Sequence, residues 1–273
     1  MLLSLMILRT MKIPFEKYHG AGNDFILIDN RKGKFSFTRE KIALICHRRF
    51  GIGADGLILI EAKKDIDFEM KYFNADGGLG SMCGNGGRCA VKFAEKHDIV
   101  RKSAKAVKFV AFDGMHEAIF TGENSVKLSM LPVEGIEKKE SAYILNTGSP
   151  HFVKFVEDVA AIDVVGEGRK IRNSEEFAKE GINVNFVAVN GDVINMRTYE
   201  RGVEDETLSC GTGTVGAALA HGVMKNKMGQ QEYELNALGG VLKVYFNRKG
   251  DDTFEDVWLE GPVAFVFEGS IEV

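Results

Sequence analysis

The chain has 273 residues, 45% hydrophobic and 27% charged, which fits a soluble globular protein with room for two domains. Its net charge is -4, pI ≈ 5.9, with the basic residues dispersed, so its electrostatics give no reason to expect nucleic acid as a partner. No run is long enough for a membrane-spanning helix, and four cysteines at this length do not make a secreted disulfide framework, which points to no membrane partner and to reduced thiols in the cytoplasm.

The apolar run from Met1 to Leu8 has no basic region before it and no small-residue cleavage site after it, and Met11 reads as the true start. Strands are expected at Phe25–Ile28, Leu57–Ile60, Phe68–Phe73, Val107–Phe112, Glu117–Phe120 and Ser125–Met130. Helices are expected at Thr38–Arg49, with His47-Arg48-Arg49 as its last turn, and just after Cys83. The polar stretch Pro132–Ser141 separates the halves. Strands recur at Phe152–Val156, Asn185–Val189, Val193–Tyr199, Leu242–Phe246, Asp256–Leu259 and Val263–Phe267. Helices recur at Ser174–Lys179, where Asn173 and Glu176 resemble a capping box, and just after Cys210. In the latter, Val215, Ala218, Leu219, Gly222 and Val223 mark one buried stripe.

The two halves are copies of one unit. Met82-Cys83-Gly84-Asn85-Gly86 matches Ser209-Cys210-Gly211-Thr212-Gly213, and each follows a strand-like run ending in a polar residue, Asn74 or Glu200. Gly22-Asn23-Asp24-Phe25 is echoed by Gly148-Ser149-Pro150-His151-Phe152, with 61 positions from Gly22 to Cys83 and 62 from Gly148 to Cys210. The expected fold class is α+β: two pseudo-symmetric domains of the same fold, each a curved, mainly antiparallel sheet or barrel around a central helix. Their two thiols then face each other across a pseudo-two-fold axis.

A free thiol titrates at about 8.5, and a helix N-terminus pulls it down by favouring the anion. Gly84 and Gly211 leave the first amides unshielded, and those amides also suit a carboxylate. Two facing thiols around a clamped carboxylate fit removal of an amino acid's α-proton from one face and return of a proton to the other. One sulfur is then base and the other acid, and no cofactor is required. Neither a Walker-type loop nor a dinucleotide fingerprint is present, and nothing marks a lysine for pyridoxal phosphate.

Plainer readings stand beside this one. Cys46 and Cys89 lie inside helices and read as packing residues, Cys89 also as a redox partner for Cys83. Cys83, Cys89, Cys210 and His151 lack the close ligand pairs of a zinc site, and no metal is assigned. His151 reads equally as a core histidine or a site residue. Glu200 and Arg201 end a strand before the second cysteine loop, which favours a site role over a surface pair. Asn23 and Asn183 sit in turn-like contexts where asparagine is common.

At these residues the chain resembles the diaminopimelate epimerases. The matching stretches run from His19-Gly20-Ala21-Gly22-Asn23-Asp24-Phe25 through Gly51–Gly56, Asn74–Gly77, Cys83–Cys89, Gly148–His151 and Glu200–Gly202 to Cys210–Gly213. The resemblance implies cofactor-independent conversion of L,L-diaminopimelate to the meso form, for lysine and peptidoglycan precursors, in a cleft between the domains. It implies a last strand crossing back, hence domains at 1–131 plus 263–273 and at 132–262. It implies Cys83 and Cys210 as the acid/base thiols. Gly84, Asn85, Gly211 and Thr212 would then bind the reacting carboxylate. Asn23, Asn74, Asn183, Glu200 and Arg201 would hold the amino groups and distal carboxylate, with His151 and Glu200 supporting proton movement. Gly56, Ser149 and a one-residue insertion in 202–207 depart from the family pattern on the recognition side. Proline racemases resemble the same fold, but Asn85 replaces their usual histidine, and Arg201 answers a second carboxylate that proline lacks. A homodimer is the base-rate expectation for a soluble enzyme.

Overall fold

In this computed structural model, which describes residues 12–80 and 82–272, one succession of elements runs twice. The first pass is β1 (Lys12–Gly20), β2 (Asn23–Asp29), α1 (Arg39–Cys46), β3 (Gly56–Glu61), β4 (Phe68–Asn74), α2 (Gly84–Lys96), β5 (Val107–Ala111), β6 (Gly114–Phe120) and β7 (Ser125–Ser129). Two short strands follow, β8 (Val133–Glu134) and β9 (Ile136–Lys139). The second pass is β10 (Ala142–Asn146), β11 (Pro150–Phe155), α3 (Val164–Arg172), β12 (Asn183–Asn190) and β13 (Val193–Glu200). It continues with the additional β14 (Asp205–Thr207), α4 (Gly211–Met224), β15 (Gly229–Ala237), β16 (Gly240–Arg248) and β17 (Thr253–Pro262), and β18 (Ala264–Glu272) closes the chain.

Strand pairing repeats with the elements. β1–β2 is antiparallel, β2–β3 parallel, β3–β4 antiparallel, β4–β5 parallel, and β5–β6–β7 antiparallel. β10, β11, β12, β13, β15, β16 and β17 follow the same alternation. Each parallel step needs a crossover, and each crossover carries a helix. The copies exchange their trailing strands: β9 pairs with β10, β18 pairs with β1, and β7 joins β17.

Burial follows the pleat. Phe25, Leu27, Ile58 and Ile60 face Ala90, Phe93 and Ala94 of the central helix α2. The alternate residues Ile26, Ile28, Leu57 and Leu59 pack on Ile42 and Ile45 of the outer helix α1. A sheet covered on both faces explains why β2 and β3 read as unbroken apolar runs. In the second copy, Val187, Leu235 and Val244 enclose α4, while Val184, Phe186 and Tyr199 pack on Val164 of α3.

Four expectations are corrected. The segment 174–179 forms turns, and the helix lies earlier, at α3; Asn173 is its C-cap, donating its backbone N–H to Arg169, so no capping box forms. α1 ends at Cys46, since His47 turns extended at φ -66, ψ 122 and leaves Arg48 and Arg49 outside the helix. The polar stretch Pro132–Ser141 is not a plain separator, because most of it is β8 and β9. α4 is buried nearly all round rather than along one stripe, as befits a helix inside a barrel. Strands β1, β8, β9, β10, β14 and β15 add to those expected. The run from Met1 to Leu8 and the start at Met11 lie outside the described residues.

Candidate functional site

Cys83 and Cys210 are the N-caps of α2 and α4, in nearly the same conformation: φ -112, ψ 116 and φ -114, ψ 109. Neither helix has a side-chain cap or an acidic residue in its first turn, so both keep unneutralised positive ends. The two ends meet. Cδ2 of Leu259 lies 3.0 Å from where a Cβ would stand on Gly84 and the same distance from one on Gly211.

The thiols do not follow the sequence expectation. Burial pushes Cys83 up to about 11, even though the amides of Gly86 and Asn85 pull the other way; the charge of Glu200 adds to the rise. Burial drives Cys210 up as well, with Glu200 adding again and Thr212 and the Gly213 amide opposing. The helix ends do favour the anions, but the loss of water outweighs them in the free protein.

Around Cys83, the sulfur donates to Asn23 Oδ1 at 3.5 Å, and Asn85 Nδ2 donates to the same oxygen and to the Ser209 carbonyl, each at 3.3 Å. Asn23 is oriented by Asp55, whose Oδ2 accepts its Nδ2 at 2.6 Å. Arg48 holds Asp55 and Asp24, each at 2.7 Å, and Lys17 reaches Asp24 at 2.7 Å. Burial opposes it, yet Arg48 and Lys17 hold the Asp24 carboxyl at about 2. Arg88 is fully buried; it donates to Asn85 Oδ1 at 2.5 Å and the Gly84 carbonyl at 3.3 Å.

Around Cys210, Thr212 Oγ1 stands 3.6 Å from the sulfur, 3.0 Å from His151 Nε2 and 3.1 Å from Ser149 Oγ. His151 is fully buried, and burial, aided by the charge of Arg201, lowers it to about 3, so it is neutral in the physiological range. Asn183, also buried, donates to Ser149 Oγ at 3.3 Å and the Pro150 carbonyl at 3.0 Å, and accepts the Arg201 amide at 2.9 Å. Ser149 thus belongs to the hydrogen-bonded cluster.

Glu200 accepts from Thr207 Oγ1 at 2.9 Å, its carboxyl raised by burial, and its charge is felt at both thiols. Arg201 is exposed; its guanidinium donates to the Glu180 carbonyl at 3.0 Å and forms no carboxylate pair among the described residues. Asn74 lies exposed at the end of β4, opposite Gly56, and its backbone closes a turn with Gly77 and Gly78. Sequence reasoning missed Tyr72. Its ring occupies the space where a side chain at Gly56 or Gly80 would stand, and its phenol is pushed up by burial, Cys83 and Glu200. The glycine at 56 was the available signal. Cys46 and Cys89 lie buried in apolar clusters, with burial pushing Cys46 up to about 12. Among the described residues no group of three His, Cys, Asp or Glu side chains is arranged to hold a metal.

A family model described as diaminopimelate epimerase matches residues 15–131 and 143–266. The chain is 46% identical over 261 residues to a diaminopimelate epimerase from Flavobacterium psychrophilum, covering 93% of this chain and 98% of that one. It is 37% identical over 288 residues to one from Archaeoglobus fulgidus, covering 96% and 98%. A Bacillus anthracis phenazine biosynthesis protein shares the fold at TM-score 0.75 and 12% identity, over 96% of this chain and 100% of that one. So does a hydroxyproline epimerase from Agrobacterium vitis solved with trans-4-hydroxy-L-proline, at TM-score 0.71 and 14% identity, over 96% and 93%. Fold and relatives together define an isomerase of the racemase and epimerase class. Within that class, the chain belongs to the diaminopimelate epimerase family.

Proposed function

We propose that this chain converts L,L-diaminopimelate to the meso form with Cys83 and Cys210 as its acid/base pair and no cofactor. The observation that carries the reading is the meeting of two uncapped helix ends, each headed by a cysteine, at Leu259. The reacting carboxylate docks on the amides of Gly84–Asn85 and Gly211–Thr212 and supplies the missing negative charge. One thiolate takes the α-proton and becomes a thiol. The C–H electron pair moves onto Cα and into the carboxylate, where the helix amides stabilise it. The opposite thiol gives its proton to the other face of Cα and is left as a thiolate, so the pair exchanges roles.

A substrate ammonium in the cleft favours ionisation of a sulfur that burial otherwise keeps protonated. In this reading Glu200 receives that ammonium, and the exposed Arg201, free of a carboxylate partner among the described residues, receives the distal carboxylate. Asn23, Asn74 and Asn183 help to hold the amino groups and the distal carboxylate in this reading, and neutral His151 acts on Cys210 through Thr212. The domains divide at 1–131 plus 263–273 and at 132–262, a split that the β18–β1 pairing supports. A homodimer through β18 is supported by exposed Phe265, Val266 and Phe267 and is tested by sedimentation. No helix among the described residues is long and apolar enough to cross a membrane. A cytoplasmic location is the reading we attach to reduced thiols.

The test is incubation of reduced protein with L,L-diaminopimelate, and separately with L-proline, in deuterated water. Meso product carrying deuterium at Cα, with proline untouched, is the expected result. Exchange into proline alone would overturn the substrate, and exchange into neither would overturn the reaction.

A further inference from the structure

The pseudo-symmetry is broken directly beneath the two helix ends. The three atoms nearest to a Cβ on Gly86 in α2 belong to Ile58, Met70 and Phe25, at 3.1 to 3.5 Å, all apolar and buried. A Cβ on Gly213, the matching position in α4, would overlap Asn185 Oδ1. Under α4 the buried group is polar: His151 and Asn185 at 0% exposure and Thr198 at 2%. Burying such groups is costly unless each is bonded, and these are bonded in one direction.

The Phe152 carbonyl accepts from Asn185 Nδ2 at 3.3 Å and can only accept, which fixes which way the amide faces. Thr198 Oγ1 donates to Asn185 Oδ1 at 3.0 Å, consistent with that orientation. The same Nδ2 donates to His151 Nδ1 at 3.1 Å. Nδ1 is therefore an acceptor, and the ring proton sits on Nε2, aimed at Thr212 Oγ1 and Ser149 Oγ, both at 3.0 Å. Ser149 in turn accepts from Asn183. Because Ser149 already accepts from Asn183, its own proton goes to Thr212 Oγ1 at 3.1 Å; with that oxygen accepting from both Ser149 and His151, Thr212 donates its proton to Cys210 at 3.6 Å. Cys83 has the opposite arrangement, donating to Asn23 Oδ1.

We propose that Asn185 and Thr198 are positioning residues for Cys210: they lock His151 as the Nε2–H tautomer, so that a chain of donors ends on this sulfur and favours its thiolate. This rests on Cys210 being one of the two acid/base thiols. It also accounts for the asymmetry. Cys210 is the more enclosed of the two residues, Cys83 being half-buried, so it has less water to support its anion and more use for a protein donor. The neutral state of His151 in the physiological range fits a ring that donates without carrying charge.

The test follows alkylation of each cysteine by iodoacetamide, resolved by peptide mass spectrometry between pH 7 and 10, with the tautomer read from long-range 1H–15N spectra of the histidines. Wild type is expected to show the Nε2–H signature at His151. Asn185→Leu is expected to slow alkylation of Cys210 about tenfold, one pH unit of thiol titration, and to leave Cys83 unchanged. Thr198→Val, close to isosteric, is expected to act in the same direction by a smaller factor, and it decides the matter if Asn185→Leu does not fold. A proton on Nδ1 in wild type, an unchanged Cys210, or equal slowing of both cysteines would overturn the proposal. These readouts need no turnover. Failure of the epimerase reading shows instead as absent deuterium exchange in wild type.

Discussion

Gly84 and Gly211 share one neighbour: Leu259 Cδ2 lies 3.0 Å from the Cβ position of each, so the pseudo-two-fold axis passes beside a single methyl group. A methyl added on one side pushes Leu259 toward the other. Gly84→Ala or Gly211→Ala alone is expected to destabilise by about 1–2 kcal/mol, the usual cost of slight overpacking. The double variant is expected to cost more than the sum, because both methyls compete for one space. Denaturant unfolding of the four-member cycle measures this. Simple additivity would mean that the helix ends do not bear on each other through Leu259.

The thiol shifts set a pH dependence. With Cys83 raised to about 11, its thiolate fraction in the free protein climbs about tenfold per pH unit from pH 7 to 10, and alkylation should climb with it. A thiol near the ordinary 8.5 would level off above pH 9. Peptide-resolved alkylation rates separate the two cases, and levelling would mean that the amides of Gly86 and Asn85 outweigh burial.

That result also marks where reading the sequence stopped. The duplication and both cysteine-headed helices were legible because a repeated motif carries its own register. What decides the thiol pKa is the burial around it, which comes from strands far along the chain. Helix α3 was missed because Gly166 and Gly168 lower helix propensity, yet a Cβ at Gly168 would overlap Tyr199, so packing requires the glycine that propensity disfavours. β15 was missed because the alternation in Gly229–Ala237 is mostly polar and half-exposed. Asn185 was visible only as one polar residue in a strand; that it faces α4 rather than solvent is a fact of tertiary structure.

Arg201 is the cation that a distal carboxylate would meet. Arg201→Ala is expected to raise KM for diaminopimelate by about ten- to a hundredfold, the worth of a charge-assisted hydrogen bond, with kcat changed much less. Arg201→Lys should recover part of the loss, since it keeps the charge but not the planar fork. Steady-state kinetics of the three proteins test this. An unchanged KM in Arg201→Ala would remove Arg201 from substrate recognition.

Asp24 and Asp55 share Arg48, but their environments predict different losses. Asp24 is largely buried and held at about 2, below the ordinary carboxylate range. Its contribution is present above about pH 4 and is lost as pH falls toward 2, so Asp24→Asn should flatten the acid limb of the stability curve in that window. The Asp55–Arg48 pair is exposed on both sides, and such pairs contribute about 0–1 kcal/mol. Asp55 also orients Asn23 at 2.6 Å, leaving its carbonyl toward Cys83. Asp55→Ala should therefore leave thermal stability nearly unchanged while cutting kcat about tenfold or more, because the freed amide can turn its donors on the sulfur that is its present donor. Thermal unfolding and turnover measured on the same preparation decide it. A loss of stability matching the loss of rate would make Asp55 a structural residue with no specific hold on the site.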